Sequence, residues 1–349
     1  MNLITKITTL LTIFLLLPSL TFSKSKSKKQ TKDYQPKKIG YLMSWRDIPS
    51  DKRIAAYTHV IMTGYKLDAT KLDGSLDTSF HTSNHKIKTL TAKAKKQGVK
   101  VMIMLGGWGS HAGFPEAAAD PKKSLKLAND LIAYCKAYGI AGVDYDWEFP
   151  TKEQFKDYDS MMKITRKEFD KYGLLLTSAI GQSHIKDFTE DTYKYMDWIN
   201  VMSYDMHWVR PKQTMPGNHS PRDVNKPNIQ GWLDRGVPRE KIVMGMPFYV
   251  RGTNDWGDAV SYFTIYEKFK PSDDHNIAGG YNFNGYNTIY NKSIYNIEQK
   301  IGGVMVWEIE HDLPATHPKA LMHAMNEGVK DGLAGKFIYR PVTKDVDLP

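Results

Sequence analysis

From residue 39 onward, short runs of apolar and β-branched residues alternate with longer stretches in which apolar positions recur every three or four residues. Runs of the first kind fit strands buried on both faces, and stretches of the second fit amphipathic helices lying against them. Strands are predicted at 39–43, 59–65, 100–105, 142–148, 174–179, 198–204, 242–249 and 303–308, with helices at 84–97, 121–138, 152–171, 228–235, 288–300 and 318–330. Gly98, Gly139, Gly173, Gly236 and Gly302 follow helical stretches, where a left-handed residue lets the chain leave the helix. Eight strands, most followed by a helix, imply a parallel sheet closed into a (β/α)8 TIM barrel: an α/β fold in a single domain, without a large inserted α+β domain. A doubly wound open sheet is the competing arrangement, but no G-x-G-x-x-G follows the first strand. Residues 251–287, rich in Tyr, Asn, Asp and Gly, read as a long loop after the seventh strand and as a candidate cleft wall.

The N-terminus departs from this rhythm. Lys6 precedes an apolar run over 10–17, then Pro18 and small residues near Ser23, the pattern of a secretory signal peptide at 1–23. Residues 24–38, rich in Lys and Ser, read as a disordered linker, which leaves 39–349 as the folded domain. The chain is therefore expected to be secreted (extracellular or periplasmic), with no stable membrane insertion after signal cleavage. The same tail changes the reading of charge. It holds eight Lys and one Asp, +7 of the formal +10. About +3 remains for the fold, so the basic balance is no case for a nucleic-acid partner. Cys135 is the one cysteine, which excludes an internal disulfide and places stability in a large core; its helical setting predicts a buried, inert thiol. Asn291-Lys292-Ser293 is a glycosylation sequon if the host is eukaryotic.

Chemistry concentrates in Gly142-Val143-Asp144-Tyr145-Asp146-Trp147-Glu148-Phe149-Pro150. Side chains alternate along a strand, so Asp144, Asp146 and Glu148 share one face while Val143, Tyr145 and Trp147 point toward covering helices. Carboxylates so close raise one another's pKa, and burial raises them further. A core built only for stability does not select that arrangement, whereas an acid that must keep its proton near neutral pH does. A hard-metal site and an exposed edge strand are the competing readings of three in-line acids. The first is weakened because such ligands come from loops or several elements, the second by the large apolar neighbours.

This segment resembles the D-G-x-D-x-D-x-E signature of glycoside hydrolase family 18, the chitinase family. It matches at every signature position except the first, where Ala141 stands. Other segments agree in order. Ile39-Gly40-Tyr41 with Trp45 resembles the family's first strand, and Leu105-Gly106-Gly107-Trp108 its S-x-G-G-W, with Met104 for Ser. Met202-Ser203-Tyr204-Asp205 resembles the M-x-Y-D of the sixth strand. Met246-Pro247-Phe248-Tyr249-Val250-Arg251 resembles the seventh, and Gly302–Glu308 the eighth. The resemblance spans roughly residues 39–332 and implies cleavage of β-1,4-linked N-acetylglucosamine chains by a retaining, substrate-assisted route.

In that scheme Glu148 is the proton donor, Asp146 orients the substrate's acetamido group, Asp144 shares a proton with Asp146, and Tyr204 holds the acetamido carbonyl. Trp307, Asp205, Met202, Arg251, Tyr41 and Trp108 are expected to contact sugar, with Trp45 a further candidate. The resemblance implies no cofactor, no metal, a monomer, and chitin or N-acetylglucosamine oligosaccharides as partner. Ala141 and Met104 are expected to alter the pH dependence by removing groups that support the acids. An endo-β-N-acetylglucosaminidase acting on N-glycans or peptidoglycan-related glycans, and a non-catalytic chitin-binding lectin, are the alternatives.

Overall fold

The computed structural model describes residues 34–77, 81–189, 191–206, 219–221, 225–253 and 259–343. The signal peptide and linker residues 1–33 lie outside them. Residues Gln35–Pro349 form one compact unit. It opens with β1 (Lys37–Leu42), so Lys37 and Lys38, assigned above to the linker, already belong to a strand. A short α1 (Asp51–Ile54) leads to β2 (His59–Tyr65), α2 (His81–Lys96), β3 (Lys100–Gly106), α3 (Phe114–Ala119), α4 (Pro121–Tyr138), β4 (Gly142–Asp146), α5 (Phe155–Asp170), β5 (Leu175–Gly181), α6 (Thr192–Tyr195), β6 (Trp198–Met202), α7 (Asn225–Asp234) and β7 (Ile242–Pro247).

After β7 the expected loop contains structure of its own. Strands β8 (Tyr249–Gly252), β9 (Ala259–Ser261), β10 (Ile277–Ala278) and β11 (Tyr281–Asn282) form a small antiparallel sheet in the order β10-β11-β8-β9, with α8 (Tyr262–Phe269) between β9 and β10. Helix α9 (Tyr286–Glu298), β12 (Gly303–Trp307) and α10 (Leu321–Leu333) complete the chain. Strands β1 to β7 and β12 pair in parallel and close as β1-β12-β7-β6-β5-β4-β3-β2, a (β/α)8 barrel. The polar-rich composition of 251–287 hid these short strands, each too brief to show an alternation.

Local chemistry explains the elements that agree best. Helix α4 starts where Asp120 accepts from the Lys122 N–H at 2.8 Å, with Pro121 in its first turn, and ends at left-handed Gly139. Gly98, Gly173 and Gly236 are left-handed as expected, but Gly302 is not; Lys300 takes that conformation at φ 53°. A Cβ on Gly302 would lie 2.4 Å from the Glu240 carbonyl oxygen, so close backbone approach is what requires glycine there.

The barrel interior is filled by alternate residues: Ile39, Tyr41, Ile61, Met102, Met104, Trp198, Val243 and Met305 form its core. On the outer side of β4, Val143, Tyr145 and Trp147 are buried, and Trp147 stacks on Phe114 of α3 at 5.3 Å. That packing fixes which face of β4 turns inward. At its end the strand meets β3 so closely that Gly107 N–H donates to the Asp146 carbonyl at 2.7 Å, and a Cβ on Gly106 would lie 2.3 Å from the same oxygen. Gly106 also has φ 102°. Gly106→Ala is expected to cost about 1–3 kcal/mol from the backbone conformation alone, read as a lower melting temperature. An unchanged melt would contradict this approach of the two strands.

Cys135 is buried, and burial pushes its thiol up to about 12, in keeping with an inert core residue. The sequon reading fails on structure. Asn291 is buried in α9, donating to the Arg340 carbonyl at 2.9 Å and accepting from the Arg340 N–H at 2.8 Å, so its amide is closed to a glycan in the folded chain. Among the described residues, no helix is long and apolar enough to cross a membrane.

Candidate active site

The three acids of β4 follow one another toward the C-terminal mouth of the barrel, and exposure grows in the same direction. Asp144 and Asp146 are buried, and Glu148, just past the strand's end, is half-buried. Asp144 is the most heavily bonded. Its Oδ2 accepts from the Tyr41 hydroxyl at 2.7 Å, and its Oδ1 accepts from the Thr177 hydroxyl at 2.5 Å and the Asn200 Nδ2 at 2.9 Å. Burial pushes this carboxyl up to about 6 against the pull of those three donors. Asp146 lies between two acids. Burial, then the charges of Glu148 and Asp144, raise it well above the carboxylate range, and its hydrogen bond runs to Glu148. Its Oδ1 is buried with no hydrogen-bond partner. Asp146 thus hydrogen-bonds to Glu148 here, while the oxygens of Asp144 are taken by donors from β1, β5 and β6; the resemblance implies a proton shared between Asp144 and Asp146.

Glu148 is raised to about 7, first by burial and then by the charge of Asp205. The N–H of Trp108 and the hydrogen bond from Asp146 oppose this. Such an acid still holds its proton in about half of the molecules at pH 7, enough for proton donation to a leaving group. Asp205 is the opposite case. Burial disfavours its charge, but hydrogen bonds from His219 and Arg251 win and hold it below the usual range. Arg251 Nη2 lies 2.9 Å from its Oδ2 and Nε 3.1 Å from Oδ1, a two-pronged grip. His219 Nδ1 lies 3.2 Å from Oδ1. Arg251 stands on β8 and pairs in register with Asn282 and Ala259, so the small sheet that replaces the expected loop aims this guanidinium at the barrel mouth.

Tyr204 and Asp205 follow β6 in a turn, with Ser203 N–H bonded to the Val201 carbonyl at 2.9 Å and Asp205 at φ 52°. The strand expected through residue 204 thus ends at Met202, which lies half-buried at its mouth end. Burial and the charges of Asp146, Glu148, Asp205 and Asp144 push the Tyr204 phenol well above 10, so it stays a neutral donor among the acids. Trp307, the last residue of β12, packs against the core cluster together with Tyr204, and its ring lies 5.2 Å from that of Tyr41.

Three of the expected sugar contacts stand apart. Tyr41 is 1% exposed and donates to Asp144, so its place is beneath the acids rather than against a ligand. Trp108 and Trp45 are 75% and 67% exposed, large apolar rings left open to solvent. The two departures from the signature also separate. Ala141 precedes β4 at its far end, ~20 Å from Glu148 at strand rise, with its backbone in the ladder to Val101 and Leu175. Its side chain packs against the interior cluster that includes Tyr41 and Met104, and it brings no polar group there. Met104, level with Asp144 in the β3–β4 register, does face the row but brings no donor to it.

Composition and motif spacing missed Thr177, Asn200, Trp198, His219 and Glu308. The first three were within reach of strand alternation, since Thr177 and Asn200 fall on the inward positions of β5 and β6. Glu308, counted as the end of the eighth strand, is buried behind Trp307. Burial raises it to about 7, with Arg46 Nε at 3.5 Å and His311 Nε2 at 3.4 Å from its Oε1. Among the described residues, no group of His, Cys, Asp and Glu is arranged to hold a metal ion.

The family model for glycosyl hydrolases family 18 matches residues 37–312. "Probable chitinase 10" of Drosophila melanogaster is 26% identical over 345 residues, covering 79% of this chain and 15% of that protein. "Probable chitinase 2" of the same organism is 27% identical over 323 residues, covering 73% and 66%. The chain therefore spans less than two thirds of the length of these curated relatives. The crystal structure of a chitinase from Bacteroides thetaiotaomicron has the same fold, with a TM-score of 0.73 at 24% identity over 85% of this chain and 98% of that one.

Proposed function

The chain belongs to glycosyl hydrolases family 18, and from that premise we propose that it cleaves β-1,4-linked N-acetylglucosamine chains, chitin or its oligosaccharides, with retention and with the substrate's acetamido oxygen as nucleophile. The observation that carries this reading is the pair Asp146 and Glu148. One acid has a buried oxygen without a partner, and the other is raised to about 7 beside it. An unpartnered buried acceptor is costly in a protein alone and is relieved by a ligand N–H. In this scheme the acetamido N–H donates to Asp146 Oδ1, and the acetamido oxygen attacks the anomeric carbon. Glu148 gives its proton to the leaving oxygen, and the negative charge of the row offsets the positive oxazolinium. Glu148, now a carboxylate, takes a proton from water, which opens that intermediate. Tyr204 donates to the acetamido oxygen, Trp307 supports the apolar face of the ring, and Asp205, held by Arg251, borders the pocket with Met202. Trp108 and Trp45 extend the surface to neighbouring sugars.

Export fits this substrate class, because a polymer too large to enter a cell is met outside it. The leader at 1–23 supports a secreted enzyme. The test is hydrolysis of N-acetylglucosamine oligomers with product analysis across pH. Since the donor must carry its proton, activity is expected to fall as pH rises through about 7, the value to which burial and Asp205 lift Glu148. No cleavage of any oligomer would remove the reading, and a rate undiminished at pH 9 would remove Glu148 as its acid.

A further inference from the structure

We propose that Trp198 and Asn200 are positioning residues that fix Asp144 as the anionic end of the acid row and leave the mobile protons on Asp146 and Glu148. The inference rests on the glycosidase reading above. An asparagine amide has two ends alike in shape and opposite in polarity. Trp198 settles which end points where. Its indole N–H can only donate, and it lies 3.0 Å from Asn200 Oδ1. The amide NH2 must then face Asp144, and it does so at 2.9 Å from Oδ1. Trp198, Asn200 and Asp144 are all buried, so no solvent rearrangement reverses the polarity.

The other two partners of Asp144 differ in kind. The hydroxyls of Tyr41 and Thr177 donate here, but a hydroxyl turns and accepts as readily. They suit a protonated Asp144 as well as an ionised one. The NH2 of Asn200 has only hydrogens to offer. It bars a proton from Oδ1, and its bond strengthens when the acceptor is charged. This matters because no cation helps: burial raises Asp144, and three hydrogen bonds are what pull it down. The titratable groups that feel its charge are Tyr41 from β1, Asp146 on its own strand, Tyr204 after β6 and Tyr158 from α5, none of them basic. Trp198 is itself pinned at the far end of the barrel interior. Its ring meets that of His59 at 5.0 Å, and Lys37 Nζ lies 5.2 Å above it. A line of contacts thus runs from the barrel floor to the acid row, and its polarity is set by one indole N–H.

Two variants test this by the pH dependence of oligomer hydrolysis. Trp198→Phe keeps an aromatic ring and removes the N–H, which frees the Asn200 amide to present its oxygen to Asp144. Asn200→Asp keeps the shape and puts a second carboxyl beside the first. Both changes make Asp144 hold a proton more tightly, so the acid limb of kcat is expected to move up by about one pH unit with KM little changed. Loss of packing alone lowers the melting temperature and leaves the limb where it was. An unmoved limb in a folded variant overturns the proposal. Asn200→Asp decides if Trp198→Phe does not fold. Should the wild-type protein cleave no oligomer, the glycosidase reading fails by itself. The same comparison is then made by 13C NMR titration of the Asp144 carboxyl, assigned by difference from Asp144→Asn. An upward shift in either variant supports the proposal, and an unchanged titration overturns it.

Discussion

Glu148→Gln is expected to lower the turnover of N-acetylglucosamine oligomers by about 10²–10⁴-fold, the range in which a positioned general acid contributes, while KM and the melting temperature stay near those of the wild type. The substitution is nearly isosteric and removes only the dissociable proton. Glu148 is half-buried, and its carboxyl is held by the Trp108 N–H and by Asp146, so a glutamine side chain keeps a comparable position. Isothermal titration with an oligomer separates the two roles the site plays, because binding survives where chemistry does not. A variant that retains wild-type turnover would mean another group delivers the proton. Binding without turnover in both proteins would instead favour the lectin alternative, since fold does not fix function.

The second large effect is expected at Asp146. Asp146→Asn should cut kcat by about 10²–10³-fold, the loss found when one preorganised electrostatic group is removed from a reaction centre. The physical reason is a change of sign rather than of shape. Asp146 lies between Asp144 and Glu148, and its Oδ1 is buried without a partner. An acetamido N–H fits that oxygen, and a row able to carry negative charge offsets the oxazolinium. Asparagine fills the same space, but it cannot become an anion. Steady-state kinetics on a soluble oligomer measure the effect, and the split between kcat and KM is diagnostic. A rise in KM alone would reduce Asp146 to a binding contact.

Much of this architecture is written in local pattern. The bounds predicted for the strand at 59–65 and the helix at 121–138 are those observed for β2 and α4. In both, hydrophobic period and end signals agree: α4 has an Asp cap, a Pro in its first turn and a Gly at its exit. The acid row is legible for the same reason. Alternation puts Asp144, Asp146 and Glu148 on one face, and the bulk of Val143, Tyr145 and Trp147 decides that the other face meets helices. Misses arise where a short segment carries no period or where the chain turns. The apolar pattern carries the sixth strand through Tyr204, but a turn at Ser203 and the left-handed Asp205 end it at Met202. The pattern runs the seventh on to Tyr249, which instead opens the small sheet. That sheet matters to the site, because it carries Arg251 to Asp205.

Local pattern along the chain is enough for the repeating order of strands and helices, the side of β4 that bears the acids, and the family to which those acids belong. These depend on neighbours within a few residues, where side-chain direction follows backbone period. How each acid is held depends on the closed barrel. Donors from β1, β5 and β6, far apart along the chain, converge on Asp144 and leave Asp146 to pair with Glu148. The closed barrel also buries Tyr41 beneath the row. Proton affinity depends on burial and on partners brought together by barrel closure, and no spacing along a single strand encodes those distances.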